Sequence, residues 1–131
     1  HAAVLPRLID WLAQQDAGGD VVAAGHRVVH GGSRFTAPVR IDADVLRELD
    51  ALAPLAPLHQ PHNLAPIRAL AARRPALPQV ACFDTAFHAS VPALAQAYAL
   101  PRALTAAGLR RYGFHGLSYE FIAQALPAQA G

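Results

Sequence analysis

Only two stretches of the chain read as buried strands, and that scarcity limits its fold more than any other feature. Asp20–His30 carries Val21, Val22, Val28 and Val29 and closes on Gly31-Gly32. Valine pairs ending at a glycine pair predict a strand that runs into a tight turn. Gln79–Phe83 (Gln-Val-Ala-Cys-Phe) is the second stretch, with Asp84 at its C-terminal end. Ser33–Arg40 reads as a loop or a short edge strand. The remainder is helical or proline-broken. Val4, Leu5, Leu8, Ile9 and Leu12 recur at spacings of three and four, predicting an amphipathic helix over Ala2–Gln15 that ends at Gly18-Gly19. Asp42 is placed to cap a helix through Leu52, and Asn63 to cap one through Arg73 or Arg74. Pro54, Pro57 and Pro61 exclude regular helix over Ala53–His62. A short helix is expected around Pro92–Tyr98 and a last one near Ser118–Leu126. The order helix, strand, helix, helix, strand, helices is α/β, with too few strands to close a sheet alone. Residues 1–131 therefore read as a single incomplete domain.

Composition removes several function classes. The chain has 131 residues and one cysteine, Cys82, which excludes a disulfide framework and a Cys-based zinc site. A net charge of +2 and no basic run argue against nucleic acid as a partner. The uncharged stretches Ala51–Ile67 and Thr85–Pro101 are too short and too rich in proline and histidine to span a membrane. Met and Lys are both absent, so all eleven basic residues are Arg and the sequence opens at His1. An excised segment or truncated reading frame is the expectation this raises.

Six of the seven histidines fall in four short polar islands at the ends of predicted elements or in loops: Gly25–Gly32, Leu58–Asn63, Phe83–His88 and Arg110–Gly116. Such positions carry the binding groups of α/β proteins. In the first island the two-residue strand period puts Arg27, Val29 and Gly31 on one face and His26, Val28 and His30 on the other. A planar, always-charged guanidinium beside a small apolar surface suits a short carboxylate with an alkyl tail, or its phosphorylated form. A solvent-facing or ion-paired Arg beside a core valine is the plainer alternative. His26 and His30 could serve as metal ligands together with Asp84, which would make a metal-dependent hydrolase; structural histidines are the other reading. Asp84 is placed either as a hard-cation ligand or base or as a cap of the next turn. His59 sits in a rigid proline-rich loop. His115 lies in a turn that Gly113 and Gly116 allow to be tight, with Phe114 as an apolar wall. Arg110 and Arg111 read as solvated or ion-paired.

Taken together, the strings GHRVVHGG at Gly25–Gly32, APLH followed by PHN at Ala56–Asn63, FDTAFH at Phe83–His88 and RRYGFHG at Arg110–Gly116 resemble the acetate kinase family (acetate and propionate kinases) in residues, order and spacing. The resemblance runs from about Asp20 to the C-terminus. It implies a partial ribonuclease H-like domain of the acetate and sugar kinase, Hsp70 and actin superfamily, taken from inside the N-terminal half. It further implies reversible transfer of the γ-phosphoryl group of ATP to acetate or propionate with Mg²⁺, yielding acyl phosphate and ADP, in a cytoplasmic homodimer. By resemblance, Arg27 binds the carboxylate and the transferring phosphoryl group, His115 stabilises that group, His59 assists, and Asp84 orients Mg²⁺ or substrate. Val29, Leu58 and Phe114 line the pocket for the methyl group.

This sequence also departs from the family. The phosphate loop, the later glycine-rich nucleotide loops, a second catalytic arginine and a Mg²⁺-holding glutamate have no counterpart in it, so an inactive fragment of an active parent is expected. Gln60-Pro61-His62 stands where relatives often have Asn-Pro-Pro, and Leu117-Ser118-Tyr119 where many have Thr-Ser-His. These changes leave acetate against propionate open. A non-catalytic remnant is a further alternative to the kinase.

Overall fold

The computed structural model describes residues 4–14 and 21–130. Three strands, β1 (Ala24–Val28), β2 (Val39–Arg40) and β3 (Gln79–Phe83), form one sheet in the order β1-β3-β2. β1 runs parallel to β3, with Ala24 opposite Gln79 and Val28 opposite Phe83; β2 joins the other side of β3 antiparallel. Parallel pairing brings the C-terminal ends of β1 and β3 to the same edge of the sheet.

The first strand is shorter than the valine pattern predicts, since Val21 and Val22 precede it and are exposed. They lie before the first rung of the ladder, so β-propensity has no partner strand to act on there. β1 is an edge strand, with an alternating pattern of burial that ends at the fully buried Val28. β3 is central, and Gln79, Ala81 and Phe83 are buried on one face.

α1 (Val4–Gln14) matches the first expected helix as far as it is described, with Ile9 half-buried and Val4, Leu8 and Trp11 exposed. The predicted stop at Gly18-Gly19 lies outside the described residues. α2 (Ala43–Ala51) begins as predicted: the Asp42 carboxylate accepts from the Val45 amide at 2.8 Å. α3 (Gln60–Arg73) starts three residues before the expected Asn63 cap. Pro61 sits in its first turn, where a missing N–H costs no helical bond, so the proline-rich loop ends earlier than proline counting suggests. A 3₁₀ turn, Ala53–Leu55, fills part of that loop. Beyond β3 come a 3₁₀ turn (Ala86–Ser90), two short helices, α4 (Ala93–Gln96) and α5 (Arg102–Ala106), and the long α6 (Gly116–Ala130).

Val28, Ala81 and Phe83 of the sheet pack against Val45 and Leu49 of α2 and Leu64 and Ile67 of α3, with Phe35 stacked on Phe83 at 5.4 Å. Gly31 is forced by this packing, because a Cβ there would meet the Phe35 carbonyl oxygen at 2.4 Å. The core thus locks the chain at the point where it leaves β1.

Candidate active site

All four polar islands meet at the shared C-terminal edge of β1 and β3. The first turn of α3 reaches β1 through Asn63, whose Oδ1 accepts from the Val29 amide at 2.9 Å. Gly31 N donates to Thr85 Oγ1 at 3.0 Å, joining the turn after β1 to the turn after β3. The last island closes over both: Gly116 N donates to the Asp84 carbonyl at 2.8 Å, and His88 Nε2 donates to the Phe114 carbonyl at 2.9 Å. Close packing explains both glycines there. A Cβ on Gly116 would lie 2.3 Å from Asp84 O, and one on Gly113 would lie 2.3 Å from the His88 ring.

At the centre of this edge, Arg27 and Asp84 form a two-pronged ion pair. Arg27 Nε lies 3.0 Å and 3.1 Å from the two Asp84 oxygens, and Nη2 lies 2.6 Å from Oδ2. The carboxylate is 1% exposed, whereas the arginine side chain is 63% exposed. The hydrogen bond and charge of Asp84 hold the Arg27 guanidinium above its ordinary pKa. Asp84 grips one edge of the guanidinium, so Nη1 and the second Nη2 hydrogen remain for another anion.

Asp84 does not fit a direct Mg²⁺ ligand, because both of its oxygens already accept from Arg27 and it is buried. The two histidines of the metal-hydrolase alternative are each engaged within the fold. His26 Nε2 pairs with Gln79 Oε1 at 2.8 Å, and His30 Nδ1 accepts from Gly32 N at 2.9 Å. Among the described residues, no three His, Cys, Asp or Glu side chains are gathered to hold a metal. Burial lowers the pKa of both histidines, with the Gln79 hydrogen bond partly opposing it at His26.

The other expected residues lie on the same four islands. Val29 is half-buried, Phe114 is 38% exposed and Leu58 is 79% exposed. His59 occupies the N-cap position of α3 with an exposed side chain that makes no capping bond. His115 is the one non-glycine described residue with positive φ, at 57°, and its carbonyl accepts from Ser118 N and Tyr119 N at the start of α6. That left-handed turn carries an exposed imidazole at the site edge. Among the described residues Arg110 and Arg111 have no ion-pair partner, and their guanidinium carbons lie over the Tyr112 and Tyr98 rings at 5.1 Å and 5.3 Å.

The sequence model of the acetokinase family matches residues 1–129. The chain belongs to that family. It is 54% identical over all 131 residues to an acetate kinase of Rhodopseudomonas palustris and covers 33% of that protein. The computed structure superposes on a propionate kinase from Francisella tularensis with a TM-score of 0.89 at 42% identity, covering 99% of this chain and 34% of that one. For the Porphyromonas gingivalis acetate kinase the TM-score is 0.83 at 36% identity, again over 99% of this chain and 34% of the other. The chain spans about a third of the length of the curated relatives it matches. Its mixed helix and sheet is a portion of the ribonuclease H-like fold these kinases share.

Two amides that the sequence did not single out as site residues are tied into this edge. Gln60 is fully buried, and Asn63 accepts from the Val29 amide just past the end of β1. His30, expected to be structural, is buried with its ring edge toward Tyr112 at 4.5 Å and Phe114 at 5.7 Å. The available signal was an uncharged polar pair at i and i+3 in the first turn of a helix, which places both side chains on one face.

Proposed function

We propose that these residues form the carboxylate-binding part of an ATP-dependent kinase that phosphorylates acetate or propionate reversibly, giving acyl phosphate and ADP. The observation that carries this reading is the exposed Arg27 guanidinium, anchored along one edge by buried Asp84 where four polar islands converge. An arginine held this way presents a fixed fork to a carboxylate or phosphoryl group without having to be ordered during binding.

A carboxylate oxygen is already a competent nucleophile. It attacks the γ-phosphorus of ATP while the bond to the bridging β–γ oxygen breaks, and ADP leaves with that electron pair. No proton need move. The difficulty is to bring two anions together and to hold charge on the transferring group. Arg27 supplies positive N–H donors for this, and His115 and His59 supply further donors at the rim. Val29, Leu58 and Phe114 form the apolar side that accepts the methyl group. Asp84 holds Arg27 in place and keeps it protonated. Mg²⁺, when bound, would supply charge neutralisation on the phosphates of ATP, and Asp84 would bear on it only indirectly, through Arg27.

The setting proposed for the whole protein is a cytoplasmic homodimer with ATP and a short-chain carboxylate as substrates. No helix among the described residues is long and apolar enough to cross a membrane. The test is acetate-dependent formation of acyl phosphate, trapped with hydroxylamine, by the full-length protein that contains this segment. The whole protein should give acetyl hydroxamate in proportion to ADP, and the 131-residue chain alone should give none. A whole protein that hydrolyses ATP without forming hydroxamate contradicts the reading.

A further inference from the structure

The chemistry above gives no part to Gln60. Yet Gln60 is 0% exposed, and its amide is fully engaged. Oε1 accepts from the His30 amide at 3.3 Å, while Nε2 donates to the His30 carbonyl at 3.1 Å and to the Leu49 carbonyl at 3.1 Å. The first two bonds take both backbone polar groups of His30, as a neighbouring strand would. The third reaches the last turn of α2. Both amide hydrogens and the oxygen are used, so the side chain has one orientation that satisfies all of its partners.

What Gln60 grips is the point where the chain leaves β1. His30 follows Val29 directly and sets its ring edge against Phe114 at 5.7 Å. On its other side, Gln60 is covalently next to His59 and two residues beyond Leu58. Asn63, one turn along α3, holds the Val29 amide at 2.9 Å. One buried side chain therefore links the segments that carry Val29, Leu58, His59 and Phe114.

We propose that Gln60 is a positioning residue for the carboxylate pocket: its amide fixes the first turn of α3 against the end of β1 and so sets the spacing of the pocket walls around acetate. The proposal rests on the kinase reading given above. A register set by hydrogen bonds matters here because a misplacement of about 1 Å at the reacting groups can cost about 10²-fold in rate.

The test uses the full-length protein carrying this segment, with Gln60→Met, which keeps side-chain length but removes the hydrogen bonds, and Gln60→Asn, which keeps the amide one methylene shorter. KM for acetate, KM for ATP and kcat are measured well below the melting temperature recorded for each variant. Gln60→Met should raise KM for acetate by about ten- to a hundredfold and leave KM for ATP within about twofold, with Gln60→Asn in between. A merely structural glutamine would lower the melting temperature without this split. KM for acetate within about twofold of wild type in folded Gln60→Met overturns the proposal, as does an equal rise in both KM values. Should Gln60→Met not fold, Gln60→Asn decides by the same ratio of the two KM values. A wild-type protein without acetate-dependent phosphoryl transfer overturns the kinase reading itself, and the proposal with it.

Discussion

At the scale of single residues, the Arg27–Asp84 pair changes what a mutation at either position reports. Asp84 is buried and Arg27 supplies the hydrogen bonds its carboxylate receives, so Arg27→Ala leaves a buried carboxylate without side-chain donors. Removing one partner of such a pair destabilises the fold as well as the site. Arg27→Lys keeps a positive charge near Asp84 but loses the fork, which separates the two effects. Asp84→Asn should reduce kcat/KM for acetate by about 10²-fold, because Arg27 loses its anchor and not its charge. Steady-state kinetics on the folded full-length variant check this, and activity equal to wild type would show that the anchor is unimportant. The two-residue period puts Arg27 on the exposed face of β1, but Val29 lies one residue past the end of the strand. The contact between Arg27 and Asp84, fifty-seven residues apart, was not legible in the sequence, because pairing of β1 with β3 is a tertiary event.

At the scale of elements, local signals held wherever the chain's own backbone decided the outcome. The Asp42 cap of α2 is such a case, and Asp42→Ala should lower stability by about 0.5–2 kcal/mol in denaturant melts. No change in the midpoint would contradict the cap. Signals failed where packing overrode them. Asn63 has capping chemistry but lies inside α3, which begins at Gln60, and its oxygen accepts from Val29 N. Val21 and Val22 have strand propensity but no partner strand. Buried histidines add a pH dependence at this scale. Burial lowers the folded-state pKa of His26 and His30 below the ordinary value near 6.5, so the unfolded chain binds protons more readily. Stability is then full above about pH 6.5 and falls as pH drops through and below that value. Thermal melts at pH 7.5 and 5.5 should show the lower midpoint at 5.5. Replacing His30 by Asn should flatten that slope, and a midpoint that rises on acidification would contradict the assignment.

At the scale of the whole molecule, the α/β class and the incomplete sheet were legible from the count of strand-like segments. The topology was not, since the order β1-β3-β2 and the antiparallel β2 depend on pairings across the core. The convergence of four islands on one sheet edge follows from that topology and explains why residues spread over most of the chain resemble one family's signature. Exposed apolar surface is also a property of this scale. Phe121, Ile122 and Leu126 of α6 are more than half exposed, and Leu58 and Leu94 more so. A chain presenting such surface should bind a hydrophobic dye and self-associate with rising concentration. Light scattering of the 131-residue chain tests this, and a monodisperse monomer at all concentrations would contradict it.

The central claim is that this segment binds the carboxylate and the transferring phosphoryl group through Arg27. Its most direct test is hydroxamate-trapped acyl phosphate formation by the full-length protein, wild type against Arg27→Ala and Arg27→Lys, with folding verified for each. The account predicts a loss of turnover of about 10²–10³-fold in both variants with ATP binding retained. Near-normal turnover in either folded variant would contradict it.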